Sequence, residues 1–166
     1  MRFKFCPECG KKLIEKEIGE EELVPYCESC KRPFFDCFGQ CVIVTVINEY
    51  NEILLLRQNY ISRENWVLIS GFIKNGDTAE ETAIREVMEE TGQKSTELNY
   101  ISSYYYEKHD LLMLGFFMKV QKRAFKNSNE VDDLKWFAIE KVKTKLRKGS
   151  IAEEHFSNCI KTILSI

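Results

Sequence analysis

The chain has 166 residues, 44% of them hydrophobic and 30% charged, which is room for one domain with a substantial core plus a small appendage and excludes a second full domain. The balance is that of an ordinary folded protein rather than a disordered or fibrous one, and no apolar run approaches the roughly 20 residues that span a bilayer. A formal net charge of −2 gives no general attraction to nucleic-acid phosphates, so a small metabolite is the expected partner.

In chain order, the opening MRFKFCPECG lacks an apolar stretch before a small-residue cleavage site, so a cytoplasmic location is expected. Residues 1–35 hold four of the seven cysteines and few apolar runs. Such a stretch cannot close a core unaided and needs a staple. Cys6-Pro7-Glu8-Cys9 and Cys27-Glu28-Ser29-Cys30 are two Cys-x-x-Cys knuckles separated by 17 residues. Two such turns can offer four thiolates to one Zn²⁺ in a closed tetrahedral, and therefore structural, site. A disulfide framework would instead call for an oxidising compartment. Cys37, Cys41 and Cys159 lie outside this set and read as small buried apolar groups. A zinc ribbon over 1–35 followed by a second domain over 36–166 is the expected division.

From Cys41 the pattern changes. Residues 41–47 (CVIVTVI) and 52–58 (EILLLRQ), with a turn at 48–51, predict a β-hairpin. A short strand is expected at 66–68, a helix over 79–91, strands over 97–106 and 111–120, a polar loop at 121–129 and a strand at 134–138. The last helix is expected over 151–164, with Ala152, Phe156, Cys159, Ile160, Ile163 and Leu164 on one face.

The chemistry lies around the first helix. Gly71-Phe72-Ile73-Lys74-Asn75-Gly76-Asp77 is a glycine-containing loop. Thr78 with Glu81 suits a capping box, and Gly92 suits a left-handed helix stop. Glu86, Glu89 and Glu90 stand at i, i+3 and i+4, which puts three carboxylates on one face. Like charges so close favour cations among them, and hard carboxylate oxygens select Mg²⁺ or Mn²⁺, ions that also take phosphate oxygens. Arg85, four residues after Glu81 and four before Glu89, can orient carboxylates through charge-assisted hydrogen bonds. Taken alone, the three glutamates read equally well as a solvated acidic face.

The whole run from Gly71 to Gly92 resembles the Nudix box, G-x5-E-x7-R-E-U-x-E-E-x-G-U, where U is aliphatic. Asp77 stands in place of the first glutamate and Gln93 in place of the last aliphatic residue, while Arg85-Glu86-Val87-Met88-Glu89-Glu90-Thr91-Gly92 matches throughout. The resemblance implies an α/β/α sandwich about a mixed sheet, with Mg²⁺ or Mn²⁺ held by Glu86, Glu89, Glu90 and the Ser70 carbonyl. The order of zinc ribbon then Nudix domain is similar to the NADH pyrophosphatase family. That likeness implies a homodimer and makes Glu130 a further metal ligand, with Glu89 or Glu130 as general base. The proline-rich aromatic segment SQPWPFPQS of that family is replaced here by Ser103-Tyr104-Tyr105-Tyr106-Glu107-Lys108-His109-Asp110-Leu111, so substrate selectivity is expected to differ. Tyr104, Tyr106, His109 and Arg57 are candidate substrate contacts, each with a packing or surface role as the alternative. The resemblance implies cleavage of the P–O–P bond in a nucleoside diphosphate linked to another group, such as NADH, ADP-ribose or a nucleotide sugar. A nucleic-acid-binding or regulatory module is the competing reading, and decapping of RNA 5′ ends lies between the two.

Overall fold

A computed structural model describes residues 3–35, 37–59, 62–126 and 131–164, with side chains of the last helix described to Thr162. The chain forms two compact units, Met1–Phe38 and Gly39–Ile166.

In the first unit, β1 (Ile14–Glu17), β2 (Leu23–Cys27) and β3 (Arg32–Pro33) form a three-stranded antiparallel sheet in that order. Its buried apolar cluster is Cys6, Leu13 and Cys27, with Phe3, Cys30 and Phe34 packed against it. So small a core cannot offset the entropy of ordering nearly forty residues without a cross-link.

The second unit contains β4 (Gly39–Ile47), β5 (Glu52–Arg57), β6 (Ile69–Phe72), helix α1 (Ala79–Thr91), β7 (Ser95–Tyr106), β8 (Leu111–Val120), β9 (Asp133–Ala138), the short helix α2 (Ile139–Val142) and α3 (Ile151–Leu164). The strands run in the order β7-β8-β4-β5-β9, with β6 also paired to β4. β4 and β8 are parallel and the other pairs antiparallel, which makes the sheet mixed.

Strand alternation explains the layering, because successive side chains leave a strand on opposite faces. Val42, Val44 and Val46 join Leu54, Leu56, Phe116 and Met118 against Ala83 and Val87 of α1. Ile43, Ile47, Ile53, Leu55 and Phe117 join Phe156 and Cys159 of α3 on the other face. With a helix on each face, β4 is buried along nearly its whole length, as expected of a central strand. Each fully buried Val, Leu, Ile or Phe stabilises this arrangement by roughly 1.5–3 kcal/mol. The result is an α/β/α sandwich.

Helix α1 starts and stops where its capping residues require. The Thr78 hydroxyl accepts the Glu81 N–H at 3.2 Å, and a Glu81 carboxylate oxygen accepts the Thr78 N–H at 2.9 Å. Gly92 adopts φ 74° and its N–H bonds the Met88 carbonyl at 3.0 Å.

Two expectations require correction. The short strand lies at Ile69–Phe72 rather than 66–68, because pairing with Cys41–Val44 of β4 fixes it there; Val67 makes only an isolated bridge to Leu56. Cys37 is exposed rather than buried, whereas Cys41 and Cys159 are buried and burial pushes both thiols up to about 11.

Candidate active site and four-cysteine centre

The two knuckles bring their sulfurs together. All four Sγ atoms of Cys6, Cys9, Cys27 and Cys30 lie within 4.8 Å of one another, with Cys6–Cys30 at 3.8 Å and Cys9–Cys27 at 3.6 Å. A tetrahedron built on Zn–S bonds of about 2.3 Å has an edge of about 3.8 Å, so the spacing suits a Zn²⁺-sized ion. The Cys30 N–H, 3.4 Å from Cys27 Sγ, is the main cause that draws the Cys27 thiol down to about 7. Cys30 is pushed upward, first by Cys9. Four thiols so close cannot all ionise without a cation among them, and a divalent one would favour all four thiolates.

In the second unit, β6, α1, the 105–113 turn and the 147–152 segment line one open cleft of about 1640 Å³. Arg85 organises its acidic part. Its Nη1 donates to Glu86 Oε1 at 2.6 Å and to Glu89 Oε2 at 3.3 Å, and its Nε donates to Asp77 Oδ2 at 3.3 Å. Its Nη2 reaches the Phe72 carbonyl at 3.4 Å. Partial burial alone would lower the guanidinium pKa, but the bonds to Glu86 and Glu89 outweigh it and hold the pKa above its ordinary value. Asp77, on a shorter arm than the expected glutamate, still reaches Arg85.

The carboxylates differ in setting. Glu90 is buried, and its Oε1 accepts from Gln58 Nε2 at 3.1 Å. Glu89 is 56% exposed and Glu86 only 13%. Glu86 lies so close to β6 that a Cβ on Gly71 would fall 2.1 Å from its Cδ. Only glycine leaves that cradle open, one residue from Ser70, which also lines the cleft. Hard carboxylates converging on a backbone strand suit Mg²⁺ or Mn²⁺. The carboxylates are not drawn as close as the thiols, however, since among the described residues the four cysteines alone bring three or more such ligand atoms within 4.8 Å. Arg85 gathers Asp77, Glu86 and Glu89, while Gln58 holds Glu90 apart from them.

The candidate substrate contacts divide. Tyr106 and His109 line the cleft, their rings 5.1 Å apart. Tyr104 is instead in the core, because its hydroxyl meets His155 Nδ1 at 3.2 Å and Asn158 Nδ2 at 3.1 Å beneath α3. Arg57 does not line the cleft; its guanidinium lies over the Trp66 ring, 5.1 Å from the centroid. Glu130 lies outside the described residues. Gln93, in place of the motif's last aliphatic residue, is buried and exchanges hydrogen bonds with the backbone of Arg123 at 3.0 and 3.1 Å.

Sequence reasoning missed several groups around the cleft. Gln58, whose place beside Arg57 at a strand end suggests at most a phosphate contact, instead holds Glu90 with its amide. Tyr105 reaches the Asp110 carboxylate with its hydroxyl and lines the cleft. Arg147 and Lys148, on the turn before α3, also line it. No local signal marks a loop cation as a cleft residue.

The family profile described as NUDIX domain matches residues 38–157. The chain is 29% identical over 150 residues to NAD-capped RNA hydrolase NudC of Pectobacterium carotovorum, covering 90% of this chain and 56% of that protein. It is 30% identical over 155 residues to human NAD-capped RNA hydrolase NUDT12, covering 89% of this chain and 34% of that protein. The chain thus spans little more than half the length of the first of these relatives and about a third of the second. Among solved structures, a NUDIX hydrolase from Nitrosomonas europaea superposes with a TM-score of 0.76 at 20% identity, covering 98% of this chain and 93% of that one. The NUDIX domain of Shewanella oneidensis NrtR, solved with ADP ribose, superposes with a TM-score of 0.66 at 14% identity, covering 83% and 94%.

Proposed function

This chain belongs to the NUDIX domain family, and from that premise we propose that it is a divalent-metal-dependent pyrophosphohydrolase acting on NAD-type diphosphates. The observation that carries the reading is the convergence of Arg85, Glu86, Glu89 and Glu90 on a single cleft that Tyr106 and His109 also line. The curated relatives, whose names specify hydrolysis of NAD-capped RNA, support the substrate class.

Glu86, Glu89, Glu90 and the Ser70 carbonyl would hold Mg²⁺ or Mn²⁺, with Glu130 as a further ligand. Such ions, when bound, polarise phosphate oxygens and make a bound water more acidic. Glu89 is the carboxylate open enough to take the proton from an attacking water as its oxygen bonds to phosphorus and the bridging P–O bond breaks, leaving two monophosphates. Arg85 positions Glu86 and Glu89 through the bonds at 2.6 and 3.3 Å. Gln58 fixes Glu90. Tyr106 and His109 would bear on the base or sugar of the ligand. The ribbon over 1–35 is read as a unit stapled by structural Zn²⁺, the domain over 36–166 as the hydrolase, and the assembly as a homodimer.

An RNA 5′ end capped by NAD presents the same bond and falls within the reading, whereas the net charge of −2 gives nucleic-acid binding alone little support. The test is hydrolysis of NADH, NAD⁺, ADP-ribose and sugar nucleotides with Mg²⁺ or Mn²⁺. Cleavage of at least one NAD-type substrate is expected, with selectivity for NADH weaker than the family likeness implies because the rigid proline-rich segment is missing at 104–110. Failure to cleave any diphosphate would overturn the reading, and strict preference for NADH would overturn its selectivity clause.

A further inference from the structure

The cleft carries a charge pattern that cutting a diphosphate does not require. Arg63, Lys74, Lys108, Arg147 and Lys148 all line it and all are exposed, yet none has an ion-pair partner among the described residues. The carboxylates on the same lining are Glu86, Glu89 and Glu90, already assigned to cations, and Glu64. A chain that is acidic overall therefore concentrates uncompensated positive charge around one opening, where low-dielectric walls focus the field on an anion.

Two of these cations sit on a built turn. Leu146 is buried beneath it. The Arg147 carbonyl accepts both the Ser150 N–H at 3.2 Å and the Ser150 hydroxyl at 2.6 Å. The Gly149 N–H is taken by Glu153 at 2.7 Å, and the Lys145 carbonyl accepts the N–H of Trp66, another cleft residue, at 3.1 Å. The backbone is thus tied to α3 on one side and to the cleft wall on the other, which lowers the entropy lost when its side chains grip a ligand.

Building on the hydrolase reading, we propose that Arg147 and Lys148 form a phosphate subsite that selects NAD-type diphosphates bearing a phosphate beyond the two joined by the scissile bond. A guanidinium and an ammonium suit phosphate oxygens, the first by its fork of donors and the second as a point charge. That extra phosphate has two sources with one chemistry, the ribose phosphate of an NADP-type dinucleotide and the 3′ phosphodiester of a nucleotide-extended NAD.

Equilibrium binding in EDTA tests this apart from catalysis, with NADH, NADPH and an NAD-capped trinucleotide as ligands for the wild type and for Arg147→Gln/Lys148→Gln. The wild type should bind at least one phosphate-bearing ligand about tenfold more tightly than NADH, and that preference should shrink with added salt and approach unity in the double variant. Whichever of NADPH and the capped trinucleotide shows the effect identifies the source. Lys148→Gln alone, at an exposed position, serves if the double variant melts early. Equal affinity for all three ligands in the wild type, or an equal preference in wild type and variant, would overturn the subsite. Loss of all hydrolysis in Mg²⁺ alongside intact selective binding would overturn the hydrolase reading and leave the subsite standing.

Discussion

His155 should make the second unit acid-labile in a way that a single substitution removes. The ring is fully buried, with Nε2 3.0 Å from the Phe116 carbonyl and Nδ1 3.2 Å from the Tyr104 hydroxyl. A carbonyl can only accept, so Nε2 carries the proton; Nδ1 then accepts from Tyr104, whose oxygen accepts from Asn158 at 3.1 Å. Each polar atom of this group is satisfied with the ring neutral. A second proton would set Nδ1–H against that hydroxyl and bury a charge, so burial first, against the opposing Phe116 bond, lowers the pKa from 6.5 to about 4. The unfolded chain therefore takes a proton below about pH 6.5 while the folded one does not until about pH 4. Stability is unaffected by this group above that window and is lost as pH falls through it. A shift of this size corresponds to roughly 3 kcal/mol in full and about 2 kcal/mol by pH 5. Urea unfolding followed by tryptophan fluorescence reads the second unit alone, since Trp66 and Trp136 both belong to it. His155→Gln keeps a donor toward Phe116, and should lower stability at pH 7.5 but flatten the decline between pH 7 and 5 relative to wild type. Parallel pH dependences for the two proteins would refute the assignment.

Gly71→Ala should cut turnover more than tenfold while leaving a folded protein, because its Cβ would land 2.1 Å from Glu86 Cδ and displace that carboxylate from β6; steady-state kinetics alongside melting check this, and unimpaired turnover would show that the cradle is not needed. Cys27→Ser should abolish stoichiometric zinc, measured by elemental analysis of protein purified without added metal. The same change should unfold the first unit, whose apolar cluster among the described residues is built on Cys6, Leu13 and Cys27 itself.

What was legible in the sequence depended on how local its cause is. The ends of α1 could be read because Thr78, Glu81 and Gly92 satisfy backbone groups within a few residues. The layering could be read because β4 is apolar on both faces and α3 carries Ala152, Phe156 and Cys159 at helical spacing. The position of β6 could not, since Ser70-Gly71 has weak strand preference and long-range pairing with β4 decides it. Tyr104 and Tyr106 are indistinguishable by alternation, yet α3 covers the first and leaves the second to the cleft. His155 was recoverable, because it falls three residues after Ala152 and four before Cys159 on the apolar stripe, where a polar residue calls for partners. Arg147 and Lys148 were not, because a charged turn reads the same whether it faces solvent or ligand.

The central claim, that the glutamates of α1 run a metal-dependent cleavage of the P–O–P bond, is tested most directly by following NADH conversion to its two mononucleotides in wild type and Glu86→Gln, with Mg²⁺ or Mn²⁺ supplied. Wild type should cleave only with the ion present. The variant, which keeps shape but loses charge, should fall by roughly a hundredfold with its melting nearly unchanged. Full turnover by Glu86→Gln, or equal cleavage by the wild type in EDTA, would contradict the account.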